Sequence, residues 1–257
     1  MILQKLSPEQ SFAVAMAVDA LKKFRVFLLA DGSGMGKTWE AIATAAIAVE
    51  QGQTVLMVAT RRALRANFQY GPRTIGGAYR EAFDGLGLTP IILTPSQAKR
   101  QEARGPGIFV TSYECLPFVD YDRKNTLLVL DECQALKNVT SQPGGFGAMR
   151  IGDVERVLYM TATPLDKVRQ LRYMARLFAP GLTKAVDPTT GEQVGERRDD
   201  SRTLEQLLRN LGAHEHGGRL VLQPGVTREE FRRRLETVFK ALAMENRVVR
   251  RELRLMA

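Results

Sequence analysis

The stretch Leu28-Leu29-Ala30-Asp31-Gly32-Ser33-Gly34-Met35-Gly36-Lys37-Thr38 constrains this chain more than any other. An apolar run, Val26 to Ala30, has the length and composition of a strand; it ends in closely spaced glycines, and a helical pattern starts at Lys37. Strand, glycine turn and helix in that order make a phosphate cradle. Gly32, Gly34 and Gly36 let the backbone of the loop, with Ser33 and Met35 between them, approach an anion and turn its N–H groups inward. The helix that follows adds its positive dipole end. Lys37 would reach the β- and γ-phosphates and the Thr38 hydroxyl would hold Mg²⁺, so ATP and Mg²⁺ are the expected cofactors. Asp31 stands where the strict G-x-x-x-x-G-K-[ST] pattern has its first glycine, and only the Gly34-Met35-Gly36-Lys37-Thr38 core fits. The competing reading is a glycine-rich turn that happens to precede a helix.

A second element weighs against that reading. Leu127-Leu128-Val129-Leu130 has the pattern of a buried strand and runs directly into Asp131-Glu132. At the carboxyl end of a parallel strand beside a P-loop, Asp131 would hold the Mg²⁺ that bridges the phosphates, and Glu132 would orient or deprotonate the attacking water. Taken alone, the pair would read as a helix N-cap, because carboxylates suit a helix N-terminus.

The remaining segments alternate between strand and helix patterns. Ser7-Pro8-Glu9-Gln10 predicts a capping box opening a first helix, with Phe12, Ala13, Met16, Ala17, Ala20 and Leu21 on its apolar face. Gln10 is also placed to read an adenine edge through its amide. Residues 37–50 predict an alanine-rich helix. Thr54–Ala59 predicts a buried strand, and Thr60-Arg61-Arg62 opens a further helix that either grips a phosphodiester backbone or forms a wet helix face. Pro90–Leu93 and Gly107–Val110 predict two more strands, the second delivering Thr111 and Ser112 to the strand ends, where they too would contact a polymer backbone. Residues 139–150 read as a glycine-rich loop. Arg156–Met160 predicts a strand that leads to Thr161-Ala162-Thr163, whose hydroxyls would hydrogen-bond the acidic pair and report the state of the γ-phosphate. The pattern implies an α/β fold with a central, mostly parallel sheet flanked by helices and a nucleotide at the strands' carboxyl ends.

Beyond residue 180 the pattern changes: 181–202 reads as an exposed insertion, 204–211 as a short amphipathic helix, and Thr227 as the cap of a long helix whose apolar face uses Phe231, Leu235, Val238, Phe239 and Leu242. His214 and His216 sit in a glycine-bounded loop without further ligands, which argues against a metal centre there. The domains are therefore expected at 1–180 and 181–257. A net charge of +9 over 257 residues favours a polyanionic partner. No apolar run is long enough to span a membrane and no signal peptide is evident, so no membrane partner and a cytoplasmic location, or a nuclear one in a eukaryote, are expected. Cys115 and Cys133 have no metal-ligand spacing and read as free thiols.

Taken in order, these stretches resemble the first RecA-like motor lobe of superfamily-two helicases, and most closely the Swi/Snf-type double-stranded DNA translocases. The resemblance runs over Leu6 with Gln10, Asp31–Thr38, Val55–Arg61, Val110–Leu116 (Val-Thr-Ser-Tyr-Glu-Cys-Leu), Val129–Asn138 (Val-Leu-Asp-Glu-Cys-Gln-Ala-Leu-Lys-Asn) and Leu158–Leu165. It implies ATP and Mg²⁺ at Lys37, Thr38, Asp131 and Glu132, and double-stranded DNA at Thr60, Arg61, Arg62, Thr111 and Ser112. It also implies coupling between the two through Gln134, Thr161 and Thr163. Gln134 replaces a usual histidine and Ala162 a usual glycine, which leaves strawberry-notch-like or phage helicases as alternative subfamilies. Residues after 200 resemble the helical protrusion and linker that lead to a second lobe. Nothing in the 257 residues reads as the Gln-x-x-Gly-Arg-x-x-Arg element that supplies that lobe's arginine fingers, each worth roughly a thousandfold in turnover. The resemblance therefore implies an ATP-driven translocase or helicase motor that needs a second lobe, in the same gene product or a partner chain, and hydrolyses ATP weakly without it. The alternatives are a non-motor, ATP-binding regulatory scaffold and the ATPase part of a viral DNA-packaging motor.

Overall fold

A computed structural model describes residues 2–32, 34–65, 77–94, 100–136, 154–162, 174–178, 183–186, 193–197, 200–216 and 219–250; Ser33, Thr163 and the segment 139–150 fall outside them. In chain order the strands are β1 (Val26–Leu29), β2 (Thr54–Ala59), β3 (Ile91–Ile92), β4 (Gln101–Ala103), β5 (Gly107–Ser112), β6 (Val119–Tyr121), β7 (Thr126–Leu130), β8 (Arg156–Met160), β9 (Thr183–Val186), β10 (Gln193–Arg197), β11 (Ala213–His216), β12 (Arg219–Leu222) and β13 (Val248–Val249). The first four α-helices are α1 (Pro8–Lys23), α2 (Lys37–Glu50), α3 (Arg61–Arg65) and α4 (Gly77–Leu86). The chain forms two compact units, Met1–Pro164 with Asn246–Ala257, and Leu165–Glu245.

The first unit is built on a seven-stranded sheet in the order β13-β1-β8-β7-β2-β5-β3, parallel at every pairing. Residues Val26–Leu29, Thr54–Ala59 and Thr126–Leu130 are buried at every position, as strands covered on both faces must be. Phe27, Leu29, Val55, Met57, Leu127, Val129, Leu158 and Met160 share one core with the buried faces of α1, α2 and α4. Small residues let α2 lie close: Ala41, Ala43, Ala45 and Ala48 all enter that core.

Every main-sheet strand expected from the pattern is present. The seventh, β13, is an addition: two residues pair with Leu28 and Leu29, and Ala30 N donates to Val249 O at 2.7 Å. A two-residue strand carries no periodicity of its own and forms only where a preformed edge offers its donors. β4 and β6 make a separate parallel pair that the sequence pattern missed. On α1 the buried face is Ala13, Val14, Ala17, Ala20 and Leu21, whereas Phe12, expected inside, is 67% exposed.

In the second unit the helix Asp200–Asn210 buries Leu204 and Leu208. The helix Arg228–Met244 buries Phe231, Leu235, Phe239 and Leu242, and its cap Thr227 accepts the Glu230 N–H at 3.1 Å. Phe178 meets Phe239 edge to face at 5.8 Å. Two expectations are corrected here. The stretch 181–202 holds the antiparallel pair β9 and β10, and His214 and His216 lie on a strand, opposite Val221 and Arg219, instead of in a loop. Among the described residues no three or more His, Cys, Asp or Glu side chains cluster as a metal site, and no helix is long and apolar enough to cross a membrane.

Candidate functional site

The site lies at the carboxyl edge of the sheet, where β1 ends in the glycine loop and β7 ends in Asp131-Glu132. Only β8 separates these two strands, so their ends stand two strand spacings, ~10 Å, apart. A lysine side chain can bridge much of that gap.

Glycine is required at two loop positions by backbone geometry. Gly34 and Gly36 have φ of +79° and +85°, a conformation that L side chains resist. Gly36 serves as the N-cap of α2, and no side chain caps that helix. The first-turn N–H groups of a fourteen-residue helix are thereby left to face an anion. A Cβ built on Gly36 would stand 2.2 Å from Gln10 Nε2, so the Gln10 amide sits directly against the loop. Gln10 also completes the capping box of α1: its Oε1 accepts the Ser7 N–H at 3.0 Å and its own N–H donates to Ser7 Oγ at 3.3 Å. Of the two roles expected of this side chain, the structure shows the cap, made by Oε1, while Nε2 is left turned to the loop.

Lys37 Nζ donates to the carbonyls of Asp31 and Gly32 at 2.8 and 2.9 Å, which folds the ammonium over the loop. Its charge is felt at Asp131, where it favours the carboxylate. Asp31 itself is fully buried and contributes its carbonyl to that lysine. Gly32, Met35 and Thr38 are partly exposed around the same loop.

Asp131 is held on all sides. Its N–H donates to Val58 O at 2.9 Å, its carbonyl accepts the Tyr113 hydroxyl at 2.8 Å, Oδ1 accepts the Glu132 N–H at 2.9 Å, and Oδ2 accepts the Tyr79 hydroxyl at 2.5 Å. Burial raises the Asp131 pKa from 3.8 to about 6; the Tyr79 hydrogen bond and Lys37 pull down against it, and the neighbouring Glu132 carboxylate pushes up. Burial, and then the Asp131 carboxylate, push Tyr79 well above its ordinary value, so the hydroxyl stays a donor. Glu132 has φ +48°, a left-handed residue that costs roughly 1 kcal/mol to hold. Cys133 is buried, and burial next to both carboxylates pushes its thiol far up, which keeps it unreactive.

The polymer candidates separate by exposure. Arg61 and Arg62 are exposed at the start of α3; Arg61 makes an ion pair of 3.6 Å with Glu114, and both partners are half exposed. Thr60 is the α3 cap, accepting the Ala63 N–H at 3.1 Å. Thr111 is 1% exposed and its hydroxyl donates to Leu93 O at 3.2 Å, so its side chain faces inward. Ser112 is also buried, and its Oγ has no hydrogen-bond partner among the described residues. Of the coupling candidates, Thr161 is buried next to the P-loop strand, its N–H donating to Leu29 O at 3.0 Å. Gln134 lies in the short 3-10 helix Cys133–Ala135. Tyr79 was not foreseen, and Tyr113 was noticed only for its neighbours' hydroxyls; nothing in a sequence announces a contact across 52 positions.

No protein-family model matches the sequence, and no curated protein matches it. Among solved structures, the chain is similar to the Sulfolobus solfataricus SWI2/SNF2 ATPase core in complex with double-stranded DNA. The TM-score is 0.55 at 16% identity, over 96% of this chain and 44% of that one. The same archaeal SWI2/SNF2 ATPase core domain, solved separately, gives a TM-score of 0.55 at 17% identity, over 96% and 45%. The chain thus spans less than half the length of those cores. At this identity the likeness speaks for fold alone, and the fold is that of a RecA-like α/β lobe.

Proposed function

We infer that the chain is the ATP-binding half of a motor that moves on double-stranded DNA, and that its second unit, Leu165–Glu245, is a protrusion on the way to a second lobe carried by the same gene product or a partner. The observation that carries this reading is that the glycine loop bearing Lys37 and the pair Asp131-Glu132 stand at the carboxyl ends of two strands with only β8 between them, beside a helix N-terminus that no side chain caps. The likeness of fold to ATPase cores, one of them held on duplex DNA, supports the same reading, as does a net charge of +9.

The residues present fit Mg²⁺·ATP. The loop N–H groups and the first turn of α2 would hold phosphate oxygens, with Gln10 Nε2 beside the loop. The Thr38 hydroxyl and the Asp131 carboxylate are the hard oxygen ligands a Mg²⁺ ion prefers. Bound Mg²⁺·ATP would supply the phosphoryl group whose transfer to water powers movement. Glu132 would orient that water, from a strained backbone that fixes where its carboxylate starts. The Tyr113 hydroxyl donates to the Asp131 carbonyl, and so would link the segment that carries Thr111 and Ser112 mechanically to the acidic pair. Arg61, Arg62 and the α3 terminus would touch phosphodiester groups, and Thr161 and Gln134 would pass on the state of the nucleotide.

The test is Glu132→Gln in protein that carries both lobes. ATP turnover stimulated by duplex DNA falls by about a hundredfold or more while ATP binding is kept. Stimulated turnover at the wild-type rate would refute the role given to Glu132, and a wild-type protein indifferent to DNA would favour a regulatory ATP-binding scaffold.

A further inference from the structure

Both carboxylate oxygens of Asp131 are already engaged by donors of the protein: Oδ1 by the Glu132 N–H and Oδ2 by the Tyr79 hydroxyl at 2.5 Å. The Glu132 bond is local and follows from the turn. The Tyr79 bond comes from 52 residues away in sequence and depends on the placement of α4.

That placement is specified tightly. Tyr79, Ala82, Phe83 and Leu86 form the buried face of α4, at the spacing of one helix side. Gly85 lies so close to the ring of Trp39 that a Cβ there would be 2.3 Å from Trp39 Cη2. Trp39 belongs to the first turn of α2, directly after Lys37 and Thr38. The helix that carries Tyr79 is therefore registered against the helix that opens the P-loop site, and Tyr79, 3% exposed, has no freedom to leave Asp131 without repacking α4.

Resting on the nucleotide reading above, we propose that Tyr79 is a positioning residue for the metal-holding carboxylate: its hydroxyl fixes the orientation of Asp131 toward the P-loop and thereby sets the affinity of the site for Mg²⁺. A carboxylate oxygen has two lone pairs, so a donor on Oδ2 leaves one for the metal's own coordination sphere. Partners of this kind commonly change metal affinity by 10- to 100-fold when removed.

The experiment compares the full chain with Tyr79→Phe, which keeps the ring and removes the hydroxyl, by calorimetric titration with ATP in excess EDTA and over a series of Mg²⁺ concentrations. Thermal melts establish that both proteins are folded. The expected result is that ATP binding without metal is unchanged, that the Mg²⁺ concentration needed for tight ATP binding rises about tenfold or more, and that Tyr79→Phe adds nothing in an Asp131→Asn background. Equal Mg²⁺ dependence of wild type and Tyr79→Phe overturns the inference and leaves the nucleotide site standing. A wild type whose ATP binding ignores Mg²⁺ overturns the functional reading and this inference with it. If Tyr79→Phe does not fold, the wild type labelled with 3-fluorotyrosine decides: the Tyr79 resonance moves on adding Mg²⁺ to the ATP complex, and a resonance indifferent to Mg²⁺ overturns the inference.

Discussion

At Asp131, burial outweighs the hydrogen bond from Tyr79 and the pull of Lys37, leaving the carboxyl at about 6 against an ordinary 3.8. The sign of the consequence follows from which state holds the proton. Between those values the folded chain keeps a proton that the unfolded chain has lost, so this group's contribution to stability is full below about pH 4. It is lost as pH rises through about 6. Carboxyl carbon shifts of the metal-free protein are expected to titrate at Asp131 with a midpoint near 6, and higher in Tyr79→Phe, which lacks a hydrogen bond to the charged form. A midpoint in the ordinary carboxylate range would mean that the site is wetter than its packing indicates. The residues proposed to hold phosphate were legible because P-loop chemistry demands specific types at fixed spacing. Tyr79 was not, because its role depends on helix placement alone. At Thr111 the sequence could not show burial: a hydroxyl at a strand's carboxyl end reads as available, but in the structure it is buried and donates to the Leu93 carbonyl.

At the scale of elements, α4 is held against α2 by a glycine that the helix would otherwise not favour. Gly85→Ala adds up to ~1 kcal/mol of helix propensity, but its methyl would sit 2.3 Å from the Trp39 ring. Overpacking of that kind costs ~1–3 kcal/mol, so the expected outcome is a net loss of about 1 kcal/mol in chemical denaturation. An alanine that stabilises the protein would show that Trp39 swings aside freely. Elements with strong patterns were read to within a few residues: α1 from its capping box, α2 from its alanines, and β2 and β7 from unbroken apolar runs. Where the pattern was read too simply the face slipped, as on α1, where Val14 is inside and Phe12 outside. The β9 and β10 pair and β13 were missed because strands of two to five residues take their stability from a partner and are too short to show a period.

The whole first unit is a device for bringing two strand ends together. A parallel sheet sends each strand's carboxyl end to one edge, and the order β1-β8-β7 sets the phosphate loop and the acidic pair within reach of each other. This was foreseeable from alternating strands and helices, whereas the strand order itself was not, since it depends on crossovers that no local signal encodes. The second unit, Leu165–Glu245, has its own helices and hairpins. The central claim is that Lys37, Thr38, Asp131 and Glu132 surround one metal-nucleotide complex. The most direct measurement is paramagnetic broadening of amide signals by Mn²⁺·ATP. The account predicts that Thr38 and Asp131 broaden together at low occupancy, while Gly105 and Asn125, at the opposite edge of the sheet, stay sharp. Broadening at only one of the two strand ends, or at neither, would contradict it.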